Sequence, residues 1–262
     1  PVGSLYFEPT SGVSKSIDRS VDIAALTTLA NKVLSQRGEL VGQLGNKQDA
    51  HALQDILRVG TSAGGARAKA LLAWNPSTGE FRSGQLDCED GFEQWLLKFD
   101  GVGNNSDKEL ADPQGYGRIE YAYHLMAKAA GIEMTPCRLH HEGRRSHFMT
   151  QRFERTKSGK KLHMQSLAAL CHYDYNDPAS YSYEQAMLTI RQFSVQAAKD
   201  CQQQFARAVF NVVARNQDDH VKNIAFLMNP KGEWVLSPAF DVVYAWNPNG
   251  AYTGAHQMSI NG

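Results

Sequence analysis

The 262-residue chain has no C-x-x-C pair, and its four cysteines, Cys88, Cys137, Cys171 and Cys201, are scattered far apart. That spacing excludes a zinc ribbon or a dithiol redox motif, and the expectation is free thiols in a reducing cytoplasm. The sequence also lacks any apolar run long enough to span a bilayer, and any signal peptide, so no membrane partner is expected. Net charge is missing too, with 27 Lys and Arg against 27 Asp and Glu. A neutral chain has no global electrostatic reason to bind nucleic acid. Its basic clusters, Arg144-Arg145 and Lys157 to Lys161, are small and read as solvated turns. A hydrophobic content of 42% with 21% charged residues is that of an ordinary globular protein. The chain opens at Pro1 and stops at Ile260-Asn261-Gly262 without a closing helix, as a fragment of a longer protein would.

What the sequence does contain centres on Ala214-Arg215-Asn216-Gln217-Asp218-Asp219-His220-Val221-Lys222-Asn223, followed by Pro238-Ala239-Phe240-Asp241. The spacing Asp-x-x-x-x-Asn with a later Asp is that of a protein-kinase catalytic loop and its metal-binding aspartate. In such a site the first Asp orients the attacking hydroxyl. The Asn and the later Asp offer hard oxygen ligands to Mg²⁺. The segment Ile224 to Met228, the turn Asn229-Pro230-Lys231-Gly232 and Trp234 to Leu236 read as a hairpin that carries Asn223 and Asp241 back beside Asp218.

Upstream, Gly60-Thr61-Ser62-Ala63-Gly64-Gly65 precedes a strand from Lys69 to Trp74. Small residues let backbone N–H groups approach phosphate oxygens, although the loop is neither G-x-G-x-x-G nor G-x-x-x-x-G-K-[ST], and a flexible turn is the plain alternative. The turn Asn75 to Glu80 and the return strand Phe81-Arg82-Ser83 follow. Lys98 interrupts the apolar strand Trp95-Leu96-Leu97-Lys98-Phe99. A lysine there either snorkels to solvent or meets an anion. A helix from Arg118 to Ala130, closed by Gly131, is expected to turn Ala122, Leu125, Met126 and Ala129 inward. Its Glu120 suits the helix start electrostatically and is also placed to pair with Lys98. Strands at Cys137–Leu139 and His147–Phe153 then lead across to a second half. There the main chain at Gln151 and Phe153 either faces an adenine edge or simply ends a strand.

The remaining elements carry less chemistry. Leu5-Tyr6-Phe7 reads as a short strand, and a helix with Ile23, Leu26, Leu29, Val33 and Leu34 on one face is capped by Ser20. A second helical stretch covers 49–57. From Leu162 the pattern is helical. The loop 172–183 carries four tyrosines, Tyr173, Tyr175, Tyr181 and Tyr183, which either contact a peptide or RNA base or stay half-buried. A long helix buries Cys201, Phe205, Ala208, Val209, Val212 and Val213 and delivers the chain to Asn216.

Glycine loop, strand lysine, crossover, D-x4-N and late Asp stand in kinase order. Together they resemble the HipA-type serine/threonine kinases, the toxins of bacterial type II toxin–antitoxin modules. The similarity runs from about Val59 to the C-terminus. The resemblance implies an α+β, bilobed protein-kinase-like fold, with an N-terminal remnant over 1–58, a mixed α/β N-lobe over 59–153 and a mostly helical C-lobe over 154–262. It implies ATP and Mg²⁺ as cofactors, and Asp218 as the catalytic residue with His220 bracing its loop and Lys222 beside it. The metal ligands would be Asn223 and Asp241. The ATP-binding set would be Gly60, Thr61, Ser62, Ala63, Gly64, Gly65, Lys69, Lys98, Gln151 and Phe153. Ser62, or adjacent Thr61, falls where the family autophosphorylates and so disables ATP binding. Implied partners are a protein substrate, an aminoacyl-tRNA synthetase by family precedent, and a helix-turn-helix antitoxin through which nucleic acid is met indirectly. A lipid or small-molecule kinase, or a silent co-repressor module, is the alternative. The late Asp sits in Ala-Phe-Asp-Val and lacks the glycine of D-F-G, as in that family.

Overall fold

Short apolar runs, such as 70–74 and 95–97, build the first half of the chain into one antiparallel sheet. The computed structural model describes residues 20–28, 67–84, 90–101, 114–156, 160–250 and 252–261. Strand β1 (Lys69–Trp74) returns as β2 (Phe81–Ser83) through a turn in which Asn75 Oδ1 accepts the amides of Ser77 and Thr78 at 2.9 and 3.3 Å. Strand β3 (Glu93–Lys98) starts ahead of the expected Trp95, because Glu93 and Gln94 pair with Trp74 and Ala73. After helix α1 (Tyr116–Ala129), strands β4 (Cys137–Glu142) and β5 (Arg145–Gln151) complete the order β2-β1-β3-β5-β4. Leu72, Trp95, Leu97, Phe99 and Met149 form its core with Ile23 and Leu26 of a helical segment at 23–28. That segment is the described part of the expected first helix. Asp22 rather than Ser20 caps it, accepting the Ala24 amide at 2.9 Å. The expected strand Leu5-Tyr6-Phe7, the helix at 49–57 and the loop Gly60–Gly65 lie outside the described residues.

Helix α1 ends at Gly131 as expected, with φ 78° there and Ile132 N donating to Ala127 O at 3.0 Å. Its inner face is not the expected one. Tyr116, Gly117, Glu120, His124 and Ala127 are buried, while Leu125 and Met126 are 52% and 48% exposed, and Ala122 and Ala129 also face outward. The reason is a close approach: a Cβ on Gly117 would lie 2.0 Å from Ser146 O of β5. Only glycine admits that contact, so the face that carries it turns in and brings Glu120 with it. Buried Asp100 secures the junction by accepting the amides of Gly115 and Ser146 at 2.8 and 3.0 Å.

The second half is helical with a small sheet. The residues after Leu162, expected to be helical, first form strand β6 (His163–Ser166). Helix α2 (Leu167–Cys171) then begins at Ser166, whose Oγ accepts the Ala169 amide at 3.2 Å. Strand β7 (Tyr181–Ser182) leads into helix α3 (Tyr183–Phe193), closed at its start by a reciprocal Ser182–Gln185 capping box. Helix α4 (Ala197–Val213) delivers the chain to the acidic loop. Strands β8 (Ala225–Met228) and β9 (Trp234–Leu236) form the expected hairpin, with β6 added on the β8 edge, and β10 (Met258–Ser259) pairs parallel to β7. Leu167, Ala186, Ile190, Val221, Ile224 and Phe226 are buried together in this half.

Helix α4 keeps Ala208 buried and Cys201 packed against the core as expected, but Phe205, Val209, Val212 and Val213 of the expected inner face lie outside. It buries Asp200, Gln204, Arg207 and Ala208, and leaves Phe205, Val209 and Val213 exposed at 61%, 46% and 78%. Backbone demand decides this. Asp200 Oδ2 accepts Leu236 N at 2.7 Å, and Arg207 Nη2 donates to Ser237 O at 2.7 Å. Leaving either buried peptide group unpaired would cost about 1–3 kcal/mol, and the polar face that satisfies both takes the inside. Ala127, Ile132, Ala239 and Val242, with Tyr123 and Phe210, join α1 to the segment that bears Asp241. No helix among the described residues is long and apolar enough to cross a membrane.

Candidate active site

Directly opposed residues of an antiparallel pair put their side chains on one face, so Lys69 and Lys98, partners in the β1–β3 register, lie side by side. Lys98 is buried. Its Nζ donates to Glu120 Oε1 at 2.5 Å and also to Asp241 Oδ1. Burial alone would lower the pKa of this ammonium, but Asp241 and Glu120 outweigh it and hold the group above its ordinary 10.5. Burial would raise the Asp241 carboxyl, yet Lys98 and then Lys69 hold it well below 3.8. Lys69 itself is lowered, chiefly by burial. The linkage signs follow. The Lys98 contribution is complete below about 10.5 and is lost as pH rises through the folded-state value. That of Asp241 is complete above about 3.8 and is lost as pH falls through its own folded-state value. Both therefore act in full at neutral pH.

Arg67 extends this cationic face. Its guanidinium lies 3.2 Å from the Tyr116 ring centroid and 3.8 Å from Glu120 Oε2. Sequence reading missed it, although the period-two spacing Arg67-x-Lys69 was the available signal. Asp241 sits at φ 52°, a left-handed conformation uncommon for a non-glycine residue and typical of strained functional positions. Beside it the Phe240 ring meets Phe153 with centroids 5.5 Å apart. The crossover supplies less than expected, because the Gln151 amide is already donated to Pro136 O at 2.9 Å. Phe153 is the crossover residue whose ring meets the neighbour of the late aspartate.

The acidic loop is held from below. The amides of Leu167 and Ala168, at the start of α2, donate to Ile224 O and Val221 O at 2.7 and 3.1 Å. Asn223 Nδ2 donates to Asp218 O at 2.8 Å, which closes the D-x4-N span on itself and turns the Asn223 amide oxygen away from that bond. His220 Nε2 is 3.6 Å from Asp218 Oδ1, too far for a hydrogen bond. The expected bracing by His220 comes instead from its carbonyl, which accepts Asn223 N at 2.9 Å. Lys222 is half-buried, with Nζ 3.6 Å from the Tyr175 ring centroid. Gln217 Oε1 and His220 Nδ1 are buried without a partner among the described residues.

Sequence reading also missed Asp219, whose side chain is wholly buried. Its carboxylate accepts the Tyr183 hydroxyl at 2.6 Å, His256 Nδ1 at 2.9 Å and the Gln257 amide at 2.7 Å. These bonds tie the loop to α3 and to the chain beside β10. Asn at 219 keeps one acceptor and turns an amide group toward donors. The expected loss is about 2–3 kcal/mol of stability, read from the denaturant midpoint at unchanged slope. The spacing to Asn223 singled out Asp218, but no sequence signal gave the burial of Asp219.

Oxygen donors at Asn223 and Asp241, in a site with three cationic side chains, suit Mg²⁺ accompanied by phosphates; a hard cation of this kind takes few protein ligands and completes its shell with phosphate and water. No group of three or more His, Cys, Asp or Glu that could hold a metal ion occurs among the described residues. The positions Gly60, Thr61, Ser62, Ala63, Gly64 and Gly65 lie outside the described residues.

The chain is similar over 99% of its length to the HipA toxin of Shewanella oneidensis MR-1, solved in complex with HipB and operator DNA, at 17% identity and a TM-score of 0.63. It covers 58% of that chain, a little over half. A proinflammatory kinase of Helicobacter pylori, CtkA, matches over 66% of this chain and 54% of its own at 14% identity and a TM-score of 0.46. Comparison with curated protein sequences gives no match. The likeness to HipA bears out the bilobed, kinase-like α+β fold. The model of the HipA-like C-terminal domain matches residues 61–262, and the chain belongs to that family.

Proposed function

We propose that this protein is an ATP- and Mg²⁺-dependent kinase that phosphorylates a serine or threonine of a protein. The observation that carries the reading is Lys98, buried and shared between Glu120 of α1 and Asp241. This three-member charge arrangement is what the phosphotransfer chemistry of kinases requires. In this reading Lys98, with Lys69 and Arg67 alongside, neutralises nucleotide phosphates. Asn223 and Asp241 hold Mg²⁺, which supplies charge neutralisation of the β- and γ-phosphates. Asp218 aligns the acceptor hydroxyl and takes up its proton as the acceptor oxygen–phosphorus bond forms and the bond to the β-phosphate oxygen breaks. Positioning and electrostatics supply the rate, since the transfer itself needs little covalent help from the protein. Phe153 borders the adenine. Ser62 or Thr61 is the self-acceptor, where a phosphate would place about −1.5 to −2 charges in a site made for ATP phosphates.

The S. oneidensis HipA was solved with HipB and DNA, which supports an antitoxin of that kind as a partner for this chain. A protein substrate such as an aminoacyl-tRNA synthetase and a cytoplasmic setting complete the reading.

The test is incubation with γ-labelled ATP and Mg²⁺, followed by mapping of label by mass spectrometry, with Asp218→Ala as control. Label on Ser62, Thr61 or a lysate protein that disappears in the control supports the reading. Label confined to lipids or metabolites assigns the site to that kinase class instead. ATP binding without any transfer makes the chain a silent binding module.

A further inference from the structure

The tyrosine-rich loop 172–182 has no role in the phosphotransfer scheme, yet it holds one ring over the acidic loop. Tyr173 and Tyr181 stack with centroids 4.1 Å and planes 17° apart. The Tyr181 hydroxyl accepts the Asp174 amide at 2.8 Å, and Asp174 Oδ1 accepts the amide and side chain of Asn176 at 3.0 and 2.9 Å. These bonds constrain the turn that carries Tyr175. From the other side the Ala179 amide donates to Gln257 O at 2.9 Å, and Gln257 N donates to buried Asp219 at 2.7 Å. The loop is thus fastened to the neighbour of Asp218. Its ordering cost falls on folding rather than on ligand binding.

On this fixed turn Tyr175 stays 41% exposed. Its ring faces the acidic loop, with Lys222 Nζ 3.6 Å from the centroid and the His220 ring centroid 6.0 Å away. The ring quadrupole attracts the ammonium and selects one direction for a side chain that would otherwise sample many. The packing of Tyr173 against Tyr181 accounts for those two rings; nothing in the core accounts for Tyr175.

We propose that Tyr175 is a positioning residue that aims Lys222 along the acceptor side of the site, and that the exposed part of its ring borders the path by which a Ser/Thr-bearing polypeptide segment reaches Asp218. This rests on the kinase reading above. A flat aromatic face beside one cation suits an extended peptide. The acidic side chains Asp174 and Asp177 on the same loop, in a chain of zero formal charge, disfavour a nucleic-acid acceptor.

Two measurements separate the parts of the claim. In reductively ¹³C-methylated protein the Lys222 resonance, assigned with Lys222→Arg, is expected upfield from the ring current. Tyr175→Ala removes that shift and Tyr175→Phe keeps it. This readout needs no catalysis, and an unmoved resonance in Tyr175→Ala overturns the positioning of Lys222. In steady-state transfer from labelled ATP to dephosphorylated casein, Tyr175→Ala is expected to lower kcat/KM for casein by about three- to tenfold, with KM for ATP within about twofold. Tyr175→Phe should stay within about twofold of the parent, and Tyr175→Ala should add nothing on a Lys222→Met background. A phenylalanine as slow as alanine, an equal rise in KM for ATP, or additive losses overturn it. Absence of any transfer by the parent protein defeats the kinase reading and the acceptor path with it, while the resonance still decides where Lys222 is held.

Discussion

Alanine at Asp218 is expected to lower phosphoryl transfer by about two to four orders of magnitude while ATP binding stays within about twofold. The side chain is half exposed and stands on a loop held by its backbone. Its loss therefore removes alignment of the acceptor without disturbing the phosphate-binding cations. Asparagine at Asp241 is expected to behave differently. It removes a hard anionic ligand and one of the two carboxylates on Lys98, so transfer falls about a hundred- to a thousandfold and the Mg²⁺ dependence of ATP binding flattens. Calorimetric titration of ATP at several Mg²⁺ concentrations, beside single-turnover transfer, checks both. If the two variants lose ATP affinity equally, the division of labour between Asp218 and Asp241 is wrong.

Alanine at Gly117 should disturb the fold and the site together. Its Cβ would sit 2.0 Å from Ser146 O and 3.1 Å from Phe148 N, and both are backbone atoms in the middle of a paired strand. Neither can rotate away, so α1 must lift from β5. Overpacking of this kind costs about 1–3 kcal/mol and sometimes more, which for a chain of this size lowers Tm by about 3–10 °C. Because Glu120 rides on the same helix face, lifting α1 also withdraws it from Lys98. The variant should therefore lose transfer activity at temperatures where it is still folded. A Gly117→Ala protein with unchanged Tm and activity would mean that α1 does not set the position of Glu120.

Several elements were legible from local chemistry alone. The β1–β2 turn is specified by Asn75, the end of α1 by Gly131, and the β8–β9 hairpin by Asn229 to Gly232. The pairing of Lys98 with Glu120 was one of two readings of those residues, and the tertiary structure selected it. Helix faces were misread, for one reason in two places. Apolar periodicity assumes that the core demands hydrocarbon. In α4 the buried side answers the backbone groups of Leu236 and Ser237, so Asp200 and Arg207 go in and Phe205 stays out. In α1 the close contact at Gly117 outranks Leu125 and Met126.

By itself the sequence determined the order of the chemistry: strand lysine, helix glutamate, D-x4-N and late aspartate, because residue type and spacing are local properties. The D-x4-N spacing already singled out Asp218, and only the tertiary structure decided that the adjacent Asp219 is committed to bracing the loop. Asp219 is buried on three donors from α3 and the chain beside β10, while Asp218 remains half exposed beside His220. That commitment depends on partners more than thirty residues away in each direction, and no pattern along the chain encodes it.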